Sequence, residues 1–407
     1  MTELRHGIRE NLPQFTLQLL QVFFVGLTIG MMRTVVPVLA EKSFGIKDQF
    51  LLLVSFVVVF GLVKAVMNLW AGHLSDRLGR RGVLIVGWLV ALPIPWLILY
   101  AQDWSWVVAA TLLLGLNQGM CWSMALNSKL DLARPEQRGL VNGLNEFFGY
   151  AAVGMAGWIT AWLADQMGAR EALYWFGQVV IGGGLVVSVL WVMETRPWAM
   201  AHAGSSGSAS MGLVEAFKKA SLHDRELVAL NQAGLVEKFV DALVWLFWPL
   251  FFVSKGLTLL QASQIIAVYA VVWGASQLIT GPLSDKVGRK RLIVWGMLLC
   301  GLGAWSVVWW DTLPLWYLAA ALTGVGMAMV YPTLGAAVAD KSPPSVRGAM
   351  LGVYRFWRDF GYAVGALIMG GLMQFVQAYE VVFAAIGISM VISGLWVQWA
   401  YQERGDV

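Results

Sequence analysis

The feature that most constrains the fold is a charged ten-residue turn that occurs twice. The first copy is GHLSDRLGRR at residues 72–81, and the second, 209 residues later, is GPLSDKVGRK at residues 281–290. Each copy lies between two apolar runs of about 20 residues, the length at which a helix spans the ~30 Å hydrocarbon layer of a membrane. The pair therefore predicts a duplicated integral membrane protein.

Composition supports a membrane location, because this chain of 407 residues is 58% hydrophobic and only 13% charged. Soluble domains carry about 25% charged residues. A β-barrel is excluded because its strands need only ~10 residues of alternating pattern, whereas these apolar runs are continuous and longer. The sequence predicts an all-α integral membrane protein with twelve transmembrane helices, arranged as two duplicated six-helix bundles. In chain order, predicted helices 1 to 12 lie at residues 16–40, 50–72, 82–101, 105–128, 139–164, 171–193, 226–253, 262–283, 291–310, 314–339, 348–376 and 379–401.

The duplication also predicts the domain boundaries. We expect an N-terminal six-helix bundle at residues 1–198, a cytoplasmic linker at 199–225 and a C-terminal six-helix bundle at 226–407. Within the linker, the small polar residues 199–210 predict a flexible tether, and residues 211–222 predict a short interfacial helix. The offset of 209 also relates Arg138-Gly139 to Arg347-Gly348, which indicates duplication of whole halves, as in many transporters.

The distribution of Lys and Arg predicts the orientation in the membrane. With a cytoplasmic N-terminus, the cytoplasmic segments hold 19 of the 28 basic residues, the outward segments hold four and the helices hold five. Both termini are therefore expected in the cytoplasm and the helices in the plasma (cytoplasmic/inner) membrane. The basic excess flanks the membrane, so nucleic acid is not an expected partner, and a monomer is expected.

The two turns, set in a six-plus-six order of helices, resemble the major facilitator superfamily. Both copies of its G-x-L-x-D-R/K-x-G-R-R/K motif are complete, and the resemblance covers nearly the whole chain. It implies a transporter whose turns act as a latch between the halves. The gating residues implied in this way are Gly72, Asp76, Arg77, Gly79 and Arg80 in the first turn and Gly281, Asp285, Lys286, Gly288 and Arg289 in the second.

The physical roles of the turn residues can be stated separately. Gly72 is expected to let two helices approach closely, and Gly79 to permit the tight turn. The carboxylate of Asp76 suits the positive N-terminal end of a helix. The resemblance implies that Asp76 meets the start of predicted helix 11 and that Asp285 meets the start of predicted helix 5. The alternative is a topological anchor without a gating role.

Nine ionisable residues lie inside predicted helices, where each costs roughly 2.5–3.5 kcal/mol at mid-bilayer. We therefore expect them to face the protein interior and to be paired or solvated. As candidates for the substrate or proton pathway they are Arg33, Lys64, Glu146, Glu237, Lys238, Asp241, Arg355, Arg358 and Asp359.

Predicted helix 7 carries two carboxylates on one face, because Glu237 and Asp241 are four residues apart, and Lys238 can reach Asp241. Two buried carboxylates that share a face favour the uptake of a proton. Glu146 has no charged neighbour in predicted helix 5, and it is a second candidate proton carrier. The sequence therefore predicts coupling to protons.

Predicted helix 11 carries three charges, of which Arg355 and Asp359 are expected to pair at i,i+4. Arg358 would then lie on a different face. The family resemblance implies that predicted helices 2 and 11 are neighbours across the boundary between the halves, so that Lys64 either reaches Asp359 or repels Arg355. Arg33 lies ~26 Å along predicted helix 1, where it either snorkels to the outer surface or meets an anion.

Polar and aromatic side chains from several helices are candidates for lining a cavity, namely Gln118, Trp122, Asn145, Asn231, Trp245, Trp248 and Tyr331. A guanidinium group binds carboxylate or phosphate bidentately, so a small organic anion is a candidate solute. The sequence predicts a proton-coupled secondary active transporter that moves a small solute by alternating access. The alternatives are a proton-antiporting multidrug or amphiphile efflux pump and a membrane sensor that does not transport.

The sequence gives no signal for catalysis or for a bound cofactor. It contains no nucleophile-base-orienter set, no metal-ligand cluster and no Walker-type GxxxxGK[ST] that would indicate direct use of ATP. We therefore expect no enzymatic activity, no cofactor and no metal. The expected partners are a small-molecule solute, protons and the lipid bilayer.

Overall fold

The computed structural model of the protein describes residues 4–46, 48–203, 212–343 and 346–403. Within these ranges the secondary structure is helical and contains no strand. The α-helices are α1 (Leu12–Phe44), α2 (Phe50–Ala91), α3 (Ile94–Leu99), α4 (Trp104–Leu132), α5 (Arg138–Met167), α6 (Ala169–Leu190), α7 (Arg196–Ala203), α8 (Leu213–Lys218), α9 (Arg225–Ser254), α10 (Leu259–Val287), α11 (Arg289–Trp309), α12 (Leu313–Lys341), α13 (Arg347–Val376) and α14 (Tyr379–Ala400).

Among the described residues, ten helical segments are long and apolar enough to cross a membrane. One of them, Phe50–Leu99, contains predicted helices 2 and 3, which are joined across non-helical Gly79. Predicted helix 7 corresponds to α9, which is not among the ten. Every stretch of 18 residues in α9 contains the three charged residues Glu237, Lys238 and Asp241, and a segment with more than two charges is not counted as apolar enough to span. The all-α membrane fold is therefore confirmed, while the number of twelve spanning helices stays a prediction.

The halves meet along two seams that are related by the offset of 209 residues. In the α2–α13 seam, residues 50–78 of α2 pack against α13, and in the α5–α10 seam α5 packs against α10. Close approach of backbones holds the first seam, since a Cβ added to Gly61 would lie 2.6 Å from the Cβ of Tyr362. The centre of the molecule lies between these seams.

The ends of the helices differ in how closely the halves pack. We call the side with residues 72–81 and 281–290 the motif side and the opposite one the far side. On the far side, Phe50 and Phe247 have ring centroids 6.4 Å apart, and Trp245 Nε1 donates to the Met32 carbonyl oxygen at 3.3 Å. On the motif side, Gly72 and Gly348 face open space. The halves are therefore closed on the far side and open on the motif side.

The segment between the halves is partly helical. Residues 199–203 belong to α7 rather than to the predicted tether, and residues 204–210 lie outside the described residues. A short helix, α8, lies within the range predicted for the interfacial helix and is followed by one π-helical turn at Lys219–His223, while the interfacial location stays a prediction. Phe217 packs against Phe356 and Trp357 of α13, so this segment is attached to the C-terminal half.

Candidate transport site

The two charged turns have the same internal geometry. Gly79 and Gly288 have φ of +76° and +100°, a conformation that L side chains rarely adopt. At the first turn, Glu194 accepts hydrogen bonds from the backbone N–H of Arg80 at 2.9 Å and of Arg81 at 3.1 Å. At the second turn, Glu403 accepts from the backbone N–H of Lys290 at 2.8 Å. A carboxylate therefore caps each helix that follows a turn, where the helix dipole favours negative charge.

Each turn is also tied to the end of a neighbouring helix. Arg80 Nε lies 3.2 Å from Asp131 Oδ2 of α4, and Arg289 Nε lies 3.2 Å from Asp340 Oδ2 of α12. The partners of the motif that were not predicted from the sequence are Asp131, Asp340, Glu194 and Glu403. The offset of 209 was the available signal, because it relates Asp131 to Asp340 and Glu194 to Glu403.

In this conformation the turns do not bridge the halves as expected. Asp76 pairs with Arg80 at 3.9 Å and keeps a side chain 74% exposed, and Asp285 pairs with Arg289 and is 63% exposed. Gly72 does not mediate a close helix approach here, because a Cβ added to it would meet no atom within 4 Å. The contacts of Asp76 with α13 and of Asp285 with α5 stay predictions for a state closed on the motif side.

The remaining turn residues lie at the surface. Arg77 and Lys286 are exposed, and an added Cβ on Gly281 would likewise meet no atom within 4 Å. These side chains therefore have the environment expected for residues that keep a turn outside the membrane.

Arg33 and Asp241 form a buried ion pair between the two halves. Arg33 Nη1 and Nη2 donate to Asp241 Oδ1 at 2.5 Å and Oδ2 at 2.8 Å, and the pair joins α1 to α9. Tyr269 donates to Asp241 Oδ1 at 3.2 Å, and Tyr362 donates to Oδ2. Arg33 is 1% exposed, so the expectation that it snorkels to the outer surface is wrong: its long side chain instead finds a carboxylate inside the protein.

Lys238 lies among aromatic rings as well as carboxylates. Its Nζ is 3.8 Å from Asp241 Oδ2 and 3.3 Å from Glu237 Oε1. It is also 4.7 Å from the ring centroid of Trp273 and 4.6 Å from that of Tyr331. The three charges of α9 are therefore brought together with rings from α10 and α12.

A second group of charges lies in the α2–α13 seam, nearer the motif side. Asp359 Oδ2 is 3.1 Å from Arg358 Nη2 and 3.9 Å from Lys64 Nζ, and it accepts from Asn68 Nδ2 at 2.5 Å. The predicted pair of Arg355 with Asp359 is wrong. Helical spacing permitted it, but Asp359 points to α2 and to the neighbouring guanidinium, leaving Arg355 without a carboxylate within 4.0 Å in the described part of the chain.

Glu146 faces α4 within the N-terminal half. Its Oε1 accepts from Trp122 Nε1 at 3.2 Å and from Asn145 Nδ2 at 2.7 Å, and its Oε2 has no hydrogen-bond partner. Among the described residues, no cation lies within 4.0 Å of this carboxylate. Glu146 is thus a buried carboxylate held by neutral donors.

Four rings form a cluster at the α5–α10 seam. Tyr150 and Trp273 are stacked across it, with centroids 3.6 Å apart and ring planes inclined at 29°. Trp122 packs on Tyr150 with centroids 5.6 Å apart, and Tyr331 packs on it with centroids 5.9 Å apart. Tyr150 and Trp273 were not among the sequence candidates.

The offset of 209 residues relates the charged and the aromatic contacts. It maps Lys64 onto Trp273, and it maps Tyr150 onto Asp359. The ion pair of Lys64 with Asp359 in one seam and the stacked rings of Tyr150 and Trp273 in the other therefore occupy equivalent positions.

Several predicted lining residues serve helix packing instead. Gln118 Nε2 donates to the Val25 carbonyl oxygen at 2.8 Å, and Asn231 Nδ2 donates to the Ala220 carbonyl oxygen at 2.8 Å. Trp245 and Trp248 are fully buried on the far side, where the two halves are in contact. Trp122 is half-buried and Tyr331 is 9% exposed, so these two keep the largest exposed fractions among the predicted lining residues.

One buried charge lies outside every sequence prediction. Lys129 belongs to α4, is 0% exposed and donates from Nζ to the Gln18 carbonyl oxygen at 2.9 Å. The predicted end of helix 4 at residue 128 placed it in a loop. The equivalent positions in the second half, Leu227 and Val338, are apolar, so this polar contact is specific to the N-terminal half.

Comparison with known proteins agrees with the fold. The chain is 26% identical over 360 residues to a probable 4-methylmuconolactone transporter from Cupriavidus pinatubonensis, covering 82% of this chain and 79% of the relative. It is 23% identical over 360 residues to the class G tetracycline resistance protein from Vibrio anguillarum, covering 83% of this chain and 85% of that one.

Solved structures and a family model complete the comparison. The human organic anion transporter MFSD10 (TETRAN) superposes with a TM-score of 0.73 at 16% identity, covering 95% of this chain and 99% of that one. A variant of the nucleoside transporter NupG gives a TM-score of 0.76 at 12% identity, covering 95% and 100%. The family model described as Major Facilitator Superfamily matches residues 19–234 and 232–405. The chain therefore belongs to the major facilitator superfamily of transporters.

Proposed function

We propose that this transporter moves a small organic anion across the plasma membrane by alternating access. The observation that carries the proposal is the surplus of basic groups in the α2–α13 seam. Lys64 and Arg358 share the single carboxylate of Asp359, and Arg355 has no carboxylate within 4.0 Å in the described residues. Ammonium and guanidinium groups in a partly dry site bind carboxylates through strong charge-assisted hydrogen bonds, so an anionic solute would balance this charge.

The proposed proton site is Glu146. Its carboxylate is 7% exposed, is held by neutral donors, and has one oxygen without a hydrogen-bond partner. In the described residues no cation lies within 4.0 Å of this carboxylate, and ionisable side chains inside membrane helices commonly serve proton relays, so Glu146 is the proposed group that gains and loses a proton during the cycle. Asp241 is less suited in this conformation, because Arg33 and two tyrosine hydroxyls bind both of its oxygens.

The proposed cycle alternates between closing the far side and closing the motif side. The excess of Lys and Arg on the motif side supports a cytoplasmic location for this face and for both termini, which makes the present conformation inward-facing. The pair of Arg33 with Asp241 would hold the outer side closed. Asp76 and Asp285 would meet α13 and α5 when the inner side closes, with the far-side pair released.

A ligand screen by thermal unfolding of the purified protein tests the proposal. Small carboxylates and inorganic phosphate are compared with tetraphenylphosphonium, a lipophilic cation. A ligand at 100 times its Kd stabilises the folded state by about 2.7 kcal/mol. We expect stabilisation by carboxylates that is lost in Arg358→Gln and kept in Arg225→Gln, a matched change at an exposed arginine.

A second candidate is efflux of amphiphilic molecules by proton antiport. The similarity to a tetracycline resistance protein over 83% of this chain favours it, as does the ring cluster at the α5–α10 seam. The same screen separates the two candidates. Stabilisation by tetraphenylphosphonium with none by carboxylates or phosphate would overturn the anion proposal in favour of efflux.

A further inference from the structure

The surplus cations of the α2–α13 seam adjoin the ring cluster of the α5–α10 seam. Lys64 Nζ is 5.7 Å from the ring centroid of Trp122, and Arg358 Cζ is 4.8 Å from that of Tyr331. Both of these rings pack on Tyr150. A group that balances the charge of Lys64 and Arg358 would therefore be carried by a molecule whose body reaches the rings.

The cluster also holds polar atoms that nothing in the described protein engages. Trp273 Nε1 and the Tyr354 hydroxyl are buried and have no hydrogen-bond partner. Buried donors are nearly always hydrogen-bonded in native structures. Trp273 belongs to the stack on Tyr150, and the Tyr354 ring lies 5.9 Å from Arg358 Cζ. Donors are therefore available beside both the rings and the cations.

The rings themselves disfavour a cationic solute. The faces of aromatic rings attract cations, but here the protein's own cations already lie over them. Lys238 Nζ is 4.6 Å from the Tyr331 centroid and 4.7 Å from the Trp273 centroid. A further cation would meet the repulsion of these groups, whereas a neutral planar ring can pack against aromatic side chains by offset stacking or edge contact.

We propose that the solute is an aromatic carboxylate, a planar ring that carries one carboxylate group. Its carboxylate meets Lys64 and Arg358 beside Asp359, and its ring reaches Trp122 and Tyr331, the rings that adjoin these two cations. The inference rests on the proposed function, because it assigns the solute class of the same site. The two seams thus recognise two parts of one molecule, the charge in the α2–α13 seam and the ring in the α5–α10 seam.

Isothermal titration of the purified full-length protein with benzoate and cyclohexanecarboxylate tests the aromatic part. The two anions have the same charge and similar size but differ in their ring faces. Aromatic contacts are worth about 0.5–1.5 kcal/mol beyond buried area, so we expect benzoate to bind roughly threefold to tenfold more tightly. Equal affinities, or tighter binding of cyclohexanecarboxylate, would overturn the inference while leaving the anion site in place.

A variant ties that preference to the ring cluster. Tyr331→Leu should bring the two affinities to within about twofold of each other, and Tyr317→Leu, a matched change on the same helix, should leave the preference of the unmodified protein. Persistence of the full preference in Tyr331→Leu contradicts the assigned ring position. If neither anion binds and tetraphenylphosphonium does, the proposed function fails together with the inference.

Discussion

The two seams between the halves have related backbones and different chemistry. In the α2–α13 seam, Lys64 and Asp359 face each other as ions, with Arg358 on the same carboxylate. In the α5–α10 seam the equivalent positions hold the stacked rings of Tyr150 and Trp273. Duplication produced two equivalent contacts, and the sequences then diverged at their centres. The first contact joins ions, whereas the second joins uncharged rings, with Lys238 lying 4.7 Å from the centroid of Trp273.

The two charged turns differ from the seams, because they share both the backbone conformation and the side-chain contacts. Arg80 with Asp131 and Arg289 with Asp340 are pairs at the same distance of 3.2 Å. A device that serves both halves alike can stay symmetric. A site that recognises one asymmetric solute cannot, and the divergence between the seams fits that requirement.

The largest expected effect on stability comes from removing the carboxylate of the α2–α13 seam. Asp359→Asn leaves Lys64 and Arg358 buried beside a neutral amide, and loss of one partner of a buried ion pair costs about 3–5 kcal/mol. We expect a corresponding fall in the free energy of unfolding, measured by denaturation in detergent micelles. Asp340→Asn is the control, since its partly exposed pair with Arg289 should contribute at most ~1 kcal/mol. Equal losses in both variants would contradict the ionic account of this seam.

Removing a ring from the α5–α10 seam should lower the free energy of unfolding by a smaller amount, and this loss should not depend on salt. Tyr150→Leu removes ring contacts with three neighbours and leaves partly filled volume, a loss of roughly 2–3 kcal/mol. The loss should be the same at low and high ionic strength, because the contacts that Tyr150 makes with Trp122, Trp273 and Tyr331 are contacts between uncharged rings. Tyr317→Leu serves as the control. A loss that changes strongly with salt would show that the two seams are not chemically distinct.

A smaller effect is expected from wedging the α2–α13 seam apart. In Gly61→Ala the added Cβ would lie 2.6 Å from the Cβ of Tyr362 and 2.8 Å from the backbone nitrogen of Ala363. Overpacking of this kind costs roughly 1–2 kcal/mol. The seam should then open more often on the far side.

Labelling detects that opening. A cysteine introduced as Val54→Cys, at a fully buried far-side position, should react faster with a membrane-impermeant maleimide in the Gly61→Ala background. Gly371→Ala is the control, because its added Cβ meets nothing within 4 Å. An unchanged labelling rate in Gly61→Ala would contradict the close-packed role of this seam.

The smallest effect on stability is expected in the turns. Asp76 is 74% exposed and lies 3.9 Å from Arg80, so Asp76→Ala should leave the thermal midpoint almost unchanged. It should instead slow the exchange between states, because its proposed partner lies in the state closed on the motif side. Counterflow rates and ligand affinity measure the two effects separately. Reduced affinity with an unchanged exchange rate would refute the gating role.

The sequence predicted the features that repeat or that lie close along the chain. The length of the apolar runs predicted the all-α membrane fold, and the motif that returns after 209 residues indicated the family. The contact of Lys64 with Asp359 followed from the family resemblance. Helical spacing wrongly joined Arg355 to Asp359, because i,i+4 positions show which side chains can meet and tertiary packing decides which do.

The contacts that were missed depend on how helices rotate against one another. Arg33 and Asp241 lie 208 residues apart, and no periodicity within either helix indicates that they face each other. The ring pair of Tyr150 and Trp273 had a signal, since the offset maps it onto Asp359 and Lys64.

Uptake of radiolabelled benzoate into proteoliposomes tests the central claim most directly. The claim is that a proton gradient drives an aromatic carboxylate through a site between the α2–α13 seam and the α5–α10 seam. Because neutral benzoic acid crosses bilayers unaided, uptake is taken above that of protein-free liposomes under the same gradient. We expect this excess to follow an imposed pH gradient in the unmodified protein, to be independent of the gradient in Glu146→Gln, and to be absent in Arg358→Gln. Uptake that ignores the pH gradient in the unmodified protein, or that persists unchanged in Arg358→Gln, would contradict the account.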